Sequence, residues 1–272
     1  MANYWELVSL VQNSLIAGAV LGVMGGLIGV FVMARDMAFA VHGIAELTFA
    51  GAAAGLLLGV GVVTGALGGA IIAGLIIGLL GEKARNRNSI VAVLMPFGLG
   101  LGILFLALAP GRSANKFGLL TGQIVAVADQ QVWLVVGLAA AVIVSLLAVW
   151  RPLLYASVDA HVAASRGVPL RALSVGFMLL LAVAVALSVQ IIGALLVLAL
   201  LVTPAATALK LSSSPVMVPL LAMAFAVISM VGGILLALPW AIPVSPFITS
   251  LSFALYLAAW AIAALRTRKV GR

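Results

Sequence analysis

MAFAVHGIAELTFAG, residues 37–51, sets a histidine and a glutamate four positions apart inside an otherwise apolar run. The whole chain of 272 residues holds only two histidines and six acidic residues. Apolar sequence continues to Val60, so residues 38–60 are long enough to cross a bilayer, which takes about 20 residues. The stretch is a membrane span that buries an ionisable pair. Outward from it the composition agrees: 65% of residues are hydrophobic and 7% charged, with a mean hydropathy of +1.36. Soluble domains usually carry about a quarter charged residues. The chain is an all-α, polytopic membrane bundle of about 8–9 transmembrane helices, read as one domain over 1–272.

Candidate crossings are 12–33, 38–60, 62–81, 89–109, 131–150, 173–190, 193–209, 216–238 and 246–265. The stretch 173–209 is too long for one crossing and is expected to divide near SVQIIG (188–193). GLLTGQIVAVA (118–128) is too short to span and too apolar for an ordinary loop. It reads as re-entrant or interfacial, which requires that protein or a cavity cover its backbone. Placing Arg151, Arg166 and Arg171 in the cytoplasm puts Arg35, EKARNRN (82–88), Lys210 and RTRKVGR (266–272) there by alternation. Of the fourteen basic residues, only Arg112 and Lys116 fall outside. This predicts an external N-terminus and a cytoplasmic C-terminus in the bacterial inner membrane.

Several classes are disfavoured. The net charge of +8 reports orientation in a membrane protein rather than nucleic-acid binding. Without cysteine there are no disulfides or thiolate ligands. The first ten residues lack a basic n-region and a small-residue cleavage site, so no cleaved signal is expected. No G-x-x-x-x-G-K-[ST] occurs, so the chain has no Walker nucleotide site of its own. Glycines at small-xxx-small spacing in GAVLGVMGGLIG (18–29) and GVGVVTGALGGA (59–70) predict close helix packing.

The i, i+4 spacing stacks His42 and Glu46 on one helix face. A helix starting near Met37 carries them about 8 to 14 Å into the membrane. An ionisable group at that depth costs about 2.5–3.5 kcal/mol on insertion scales and normally faces the bundle interior. Imidazole nitrogen with carboxylate oxygen suits zinc, and also manganese or iron. The remaining ligands would come from water, backbone, another helix or another subunit. Such an incomplete shell suits a conduit, because a closed site traps its ion. A neutral His–Glu hydrogen bond clasping helices, and a proton relay, are the competing readings. His161 lies in a cytoplasmic loop and reads as a solvated residue.

The frame around the pair resembles the permease subunit of bacterial metal-ion ABC importers. Members open their second transmembrane helix with a basic residue and M-S-Y-x-G-D-x-x-x-H-A-S-L-L-G. Arg35, Met37, Phe39, His42, Glu46, Thr48 and Gly51 match that frame, with the two ligand types in reversed order. LSVQIIGALLVLALLVTPAATA (187–208) and WRPLLYASVDAHVAASRGVPLRAL (150–173) resemble two further family segments. The likeness runs over about residues 10–265.

ASVDAHVAASR (156–166) reads as one small-residue helix, with Asp159 in its first turn, Arg166 in its last, and Gly167-Val168-Pro169 as its stop. Its apolar face lacks the Trp, Phe and Leu of lipid-seeking helices. The resemblance implies that segment 151–171 couples to an ATPase through Asp159, Arg166 and Gly167. Gln190 is a pathway candidate near the external end. Pro204 can kink the helix it interrupts, and Thr121 and Gln123 are weaker pathway candidates.

The family further implies a homodimer with cytoplasmic ATP-binding subunits and an extracytoplasmic metal-binding protein. The permease itself does no covalent chemistry and holds no permanent cofactor. Its substrate is a divalent metal, zinc first, then manganese or iron. The rivals are a proton-coupled secondary transporter using His42 and Glu46, and a structural membrane protein.

Overall fold

A computed structural model describes residues 8–81, 84–109, 129–240 and 243–270. Thr121, Gln123, the 118–128 segment, Arg112 and Lys116 lie outside them. The described residues form helices and no strand. In chain order these are α1 Gln12–Ala34, α2 Ala38–Leu58, α3 Val62–Leu80, α4 Ala84–Leu108, α5 Asp129–Ala148, α6 Trp150–Val158, α7 Ala160–Ser165 and α8 Leu170–Ile192. A 3₁₀ turn, Ala194–Leu196, follows, then α9 Val197–Leu201, α10 Thr203–Leu211, α11 Met217–Ala237 and α12 Val244–Val270. Eight of these helices are long and apolar enough to cross a membrane: α1 to α5, α8, α11 and α12. The chain is therefore an all-α polytopic bundle.

The stretch 173–209 divides within the expected 188–193, and its second half is short helical pieces rather than one long span. Gly193 takes φ 86° and ψ 157°, which stops α8, and the chain continues through the 3₁₀ turn into two short helices. Only glycine visits that backbone region freely. Pro204 follows the one-residue irregularity at Val202 that separates α9 from α10 within the helical stretch Val197–Leu211. It stands in the opening turn of α10, where a missing N–H costs nothing.

Two compact units emerge from the contacts. One comprises Ala34–Gln123 and Ala140–Val197, the other Met1–Met33, Ile124–Ala139 and Leu198–Arg272. In the first, α2 and α3 form a tight hairpin through Gly59 and Gly61, both at positive φ. Their backbones touch: a Cβ at Gly51 would strike the Gly65 carbonyl, and one at Gly69 the Leu47 carbonyl. Lipid gives helices no hydrophobic reason to pair, so such close approach is the adhesive. On another face of α2 runs α4, with Gly43 against Val91, Gly98 against Glu46 and Leu47, and Gly102 against Phe49. Both residue numbers rise together, so α2 and α4 are parallel. Helix α8 packs on α3 where Gly74 meets Ala182 and Gly78 meets Met178.

In the second unit, Gly22 and Gly26 of α1 lie against the α11 backbone at Val227 and Met223. Gly29 abuts the Leu201 carbonyl. Ser252 on α12 donates to the Ala199 carbonyl at 3.3 Å, tying α12 to α9. Asn13 Nδ2 donates to the Asp129 carboxylate at 2.6 Å.

Candidate metal site

His42 and Glu46 both stand in the first half of α2, one turn apart. Nε2 of His42 lies 3.7 Å from Oε1 of Glu46, with the side chains 28% and 6% exposed. That separation exceeds a hydrogen bond, so the pair is not a made helix clasp. Moreover, Nδ1 of His42 and Oε2 of Glu46 are buried without hydrogen-bond partners. Unpaired buried polar atoms are uncommon and ask for a missing partner.

The geometry accepts a cation. Metal–ligand bonds of about 2.0–2.2 Å to the nitrogen and the oxygen would subtend about 115–135° across this gap, a little wider than tetrahedral. No group of three or more His, Cys, Asp or Glu side chains is gathered among the described residues. The described residues thus bring two candidate ligands together on one face and no third acidic or imidazole group.

Helix α4 fixes the level of the pair. A Cβ on Gly98 would meet the Glu46 carbonyl carbon at 3.1 Å, so nothing larger than hydrogen fits without displacing α2. Pro96, two residues earlier, removes a helical donor and leaves the Ala92 carbonyl without its usual partner. With Phe39, Asn88, Ala92 and Met95, Pro96 lines a cavity of ≈ 370 Å³ beside α2. The sequence reading missed Gly98 and Pro96. Their signal, a proline followed by the glycine run PFGLGLG (96–102), was visible.

Gln190 sits on α8, with both side-chain polar atoms buried and unpartnered. It does not join the pair. The starts of α2 and α8 share one cavity, since Arg35, Leu170 and Ser174 all line it, so the two helices run the same way. Counting about 1.5 Å per residue from Arg35 and from Leu170, Gln190 stands about 13 Å further along than Glu46. Pro204 belongs to the other compact unit.

The segment expected to be a single helix over 156–166 is two helices, α6 and α7, broken at Asp159. Asp159 is extended (φ −146°, ψ 105°), outside the first turn, and caps α7. Its Oδ1 accepts from the N–H groups of His161 at 2.8 Å and Val162 at 3.0 Å. Capping needs that backbone geometry, which explains the break. At the far end Arg166 is the C-cap and Gly167, at φ 79°, makes the left-handed turn. N–H groups of Gly167 and Val168 return to the Ala164 and Ala163 carbonyls at 2.9 and 3.1 Å, a Schellman closure. Ala163 is buried, whereas Tyr155, Val158 and Val162 are exposed, Val158 by 82%. A short, rigid, doubly capped helix therefore presents an apolar edge outward.

Known proteins share this architecture. The ABC 3 transport family model matches residues 8–263. The manganese transport system membrane protein MntC of Halalkalibacterium halodurans is 31% identical over 228 residues, 83% of this chain and 78% of that protein. The manganese import system permease protein ScaB of Streptococcus parasanguinis is 29% identical over 204 residues, 75% and 72% of the two chains. Among solved structures, PsaBC from Streptococcus pneumoniae in complex with Fab superimposes with a TM-score of 0.85 at 25% identity, covering 95% of each chain. Membership of an ABC family sets aside the stand-alone secondary transporter and the purely structural protein. The chain belongs to the ABC 3 transport family and is the multi-pass permease of a metal-ion ABC importer.

Proposed function

We propose that the chain is the single-domain translocation subunit (1–272) of a manganese importer, with His42 and Glu46 holding the ion in transit. One observation carries the site: an imidazole and a carboxylate, 3.7 Å apart in an apolar span, each keep a buried atom with no hydrogen-bond partner. Manganese replaces zinc as the first substrate because the relatives are named for manganese. Ligand chemistry alone does not separate the two, since imidazole and carboxylate accept both.

In this reading the N-terminus is external and the C-terminus cytoplasmic, as the basic residues favour, which takes nine passes and makes the shorter helical stretch Val197–Leu211 the ninth. The N-terminal ends of α2 and α8 then both face the cytoplasm. The edge of α6 and α7 docks on a cytoplasmic ATP-binding subunit, with Asp159, Arg166 and Gly167 holding the shape that transmits its motion. An extracytoplasmic binding protein delivers the ion, and a second copy of the chain supplies a second His42–Glu46 pair. Gln190 serves a separate step toward the external end, and Pro204 shapes the broken segment after α8. No permanent cofactor is needed.

The test is reconstitution of the chain with its ATPase in proteoliposomes. ATP-dependent accumulation of radioactive manganese, lost on ATPase inactivation, is the expected result. Accumulation of zinc or iron with no manganese uptake would overturn the substrate assignment. Failure to move any transition metal would overturn the function.

A further inference from the structure

Beside the candidate coupling segment, and away from the His42–Glu46 pair, the structure holds a second polar site. A cavity of ≈ 280 Å³ is lined by Arg35, Gly78, Ala156, Ala160, Arg171 and Ser174, with Leu170 at its edge. Two arginines and a serine line it, and no acidic residue does among the described residues. Nη1 of Arg35 is buried without a hydrogen-bond partner. The guanidinium is held in place by the Phe177 ring, 5.4 Å from its carbon to the centroid.

A third arginine adds to the charge. Nη2 of Arg87 donates to the carbonyls of Arg35 at 3.0 Å and Asp36 at 3.1 Å, which fixes its cation next to Arg35. Burial first, and the Arg87 charge second, push the Arg35 guanidinium below its ordinary value. The Asp36 carboxylate stands beside Arg87, which leaves Arg35, with its orphaned donor, as the cation that an anion would complete.

The level of the cavity narrows the choice of anion. Arg35 precedes α2, Leu170 and Arg171 open α8, and Gly78 is in the last turn of α3. All are helix ends, at the depth where lipid headgroups lie. A phosphate diester offers oxygens to two guanidinium forks and a hydroxyl at once, and Arg is the residue that suits phosphate best. The alanines and Leu170 leave room for an apolar glycerol and acyl start. An acidic side chain of a partner protein would use the arginines and leave that apolar lining unfilled.

We propose that this cavity binds the phosphate headgroup of an anionic membrane phospholipid, held by Arg35, Arg171 and Ser174 against the start of α8 and the α6–α7 segment. Basic pockets at helix ends are a recurrent form of lipid recognition. The lipid would brace α8 against the segment that we assign to ATPase docking.

Native mass spectrometry of the full-length protein, with equal phosphatidylglycerol and phosphatidylcholine in the micelle, tests it. One phosphatidylglycerol per chain should be retained, about tenfold in preference to phosphatidylcholine, the scale of one charge-assisted hydrogen bond. Arg35→Gln should erase the preference. Because that change also removes the Phe177 contact, Ala156→Leu provides a second variant that fills the cavity and leaves every charge in place. It should erase the preference too. Equal retention of both lipids, or unchanged selectivity in both variants, would overturn the proposal. Displacement by an equal concentration of glycerol-1-phosphate would reassign the site to a soluble phosphate. Loss of the lipid on adding the ATPase subunit would reassign it to a partner carboxylate. Either result overturns the lipid.

Discussion

Gly98→Ala adds one methyl group where α4 rests on the backbone that carries Glu46. The new Cβ would lie 3.1 Å from the Glu46 carbonyl carbon, the Leu47 nitrogen and Leu47 Cδ1. Carbon atoms normally sit about 3.5–4.0 Å apart, so α2 and α4 must separate by roughly 0.4–0.9 Å at that level. Replacing glycine in a helix interior by alanine gains about 0.8–1.0 kcal/mol. Overpacking costs about 1–3 kcal/mol and cancels or exceeds the gain. Gly100, two residues on, meets nothing within 4 Å. Gly100→Ala should keep the whole propensity gain, so the two variants should differ by about 1–3 kcal/mol in stability. The displacement also reaches the tolerance of about 0.5 Å within which a binding constellation must be held. Manganese uptake should therefore fall about tenfold or more in Gly98→Ala and stay at the parental rate in Gly100→Ala. Thermal unfolding in detergent and proteoliposome uptake read the two consequences separately. If both variants melt together and transport alike, the contact between α4 and the Glu46 backbone does not position the site.

Glu46→Gln and His42→Ala should each abolish metal uptake and leave the protein folded and bound to the ATPase, as read by uptake and size-exclusion chromatography. Normal accumulation in both would refute the site. Zinc should inhibit manganese uptake more strongly than manganese competes with itself, because zinc lies higher in the Irving–Williams order at the same N/O ligands; dose–response curves with either ion give the check. Asp159→Ala removes the acceptor of two backbone N–H groups and should weaken α7 by about 0.5–2 kcal/mol. Transport per ATP hydrolysed should drop, and Asp159→Asn, which still caps, should restore it. Gln190→Leu removes two unpartnered polar atoms; lowered uptake with a raised melting temperature marks a pathway role, whereas a raised melting temperature with full uptake marks a structural one.

Hydropathy made the spans readable because a bilayer imposes a length and an apolar surface on every crossing helix. It divided 173–209 only to within SVQIIG (188–193), and the chain breaks at Gly193, the last of those residues. The break depends on one backbone conformation, Gly193 at φ 86°, which composition does not encode. The His42–Glu46 pair stood out because ionisable groups are scarce, and the i, i+4 spacing already required a shared face. Gly98, Gly100 and Gly102 alternate in the sequence, yet only Gly98 and Gly102, four apart, turn toward α2. Which neighbour they meet is a tertiary fact. Asp159 had the composition of a first-turn residue and of a cap alike, and the extended backbone decided between them. The arginine-lined cavity was beyond reach, since Arg35, Ser174 and Ala156 meet only after four helices have packed.

The pair's incompleteness has a consequence for transport. Two protein ligands on one face of one helix leave a transition ion short of its usual four to six. Within the described residues of one chain no third imidazole or acidic side chain approaches. Gln190, about 13 Å further along the helix direction, is too distant to add a ligand. Water, backbone carbonyls, another helix or a second copy of α2 would then complete the shell. Two copies of the pair meeting face to face would supply two nitrogens and two oxygens, a shell that exists only while the two α2 helices stay together. Separation of the helices by even 1 Å would halve the ligand set and free the ion. A motion at the ATPase-facing ends of the bundle could then control affinity at the site without any change in the ligands themselves.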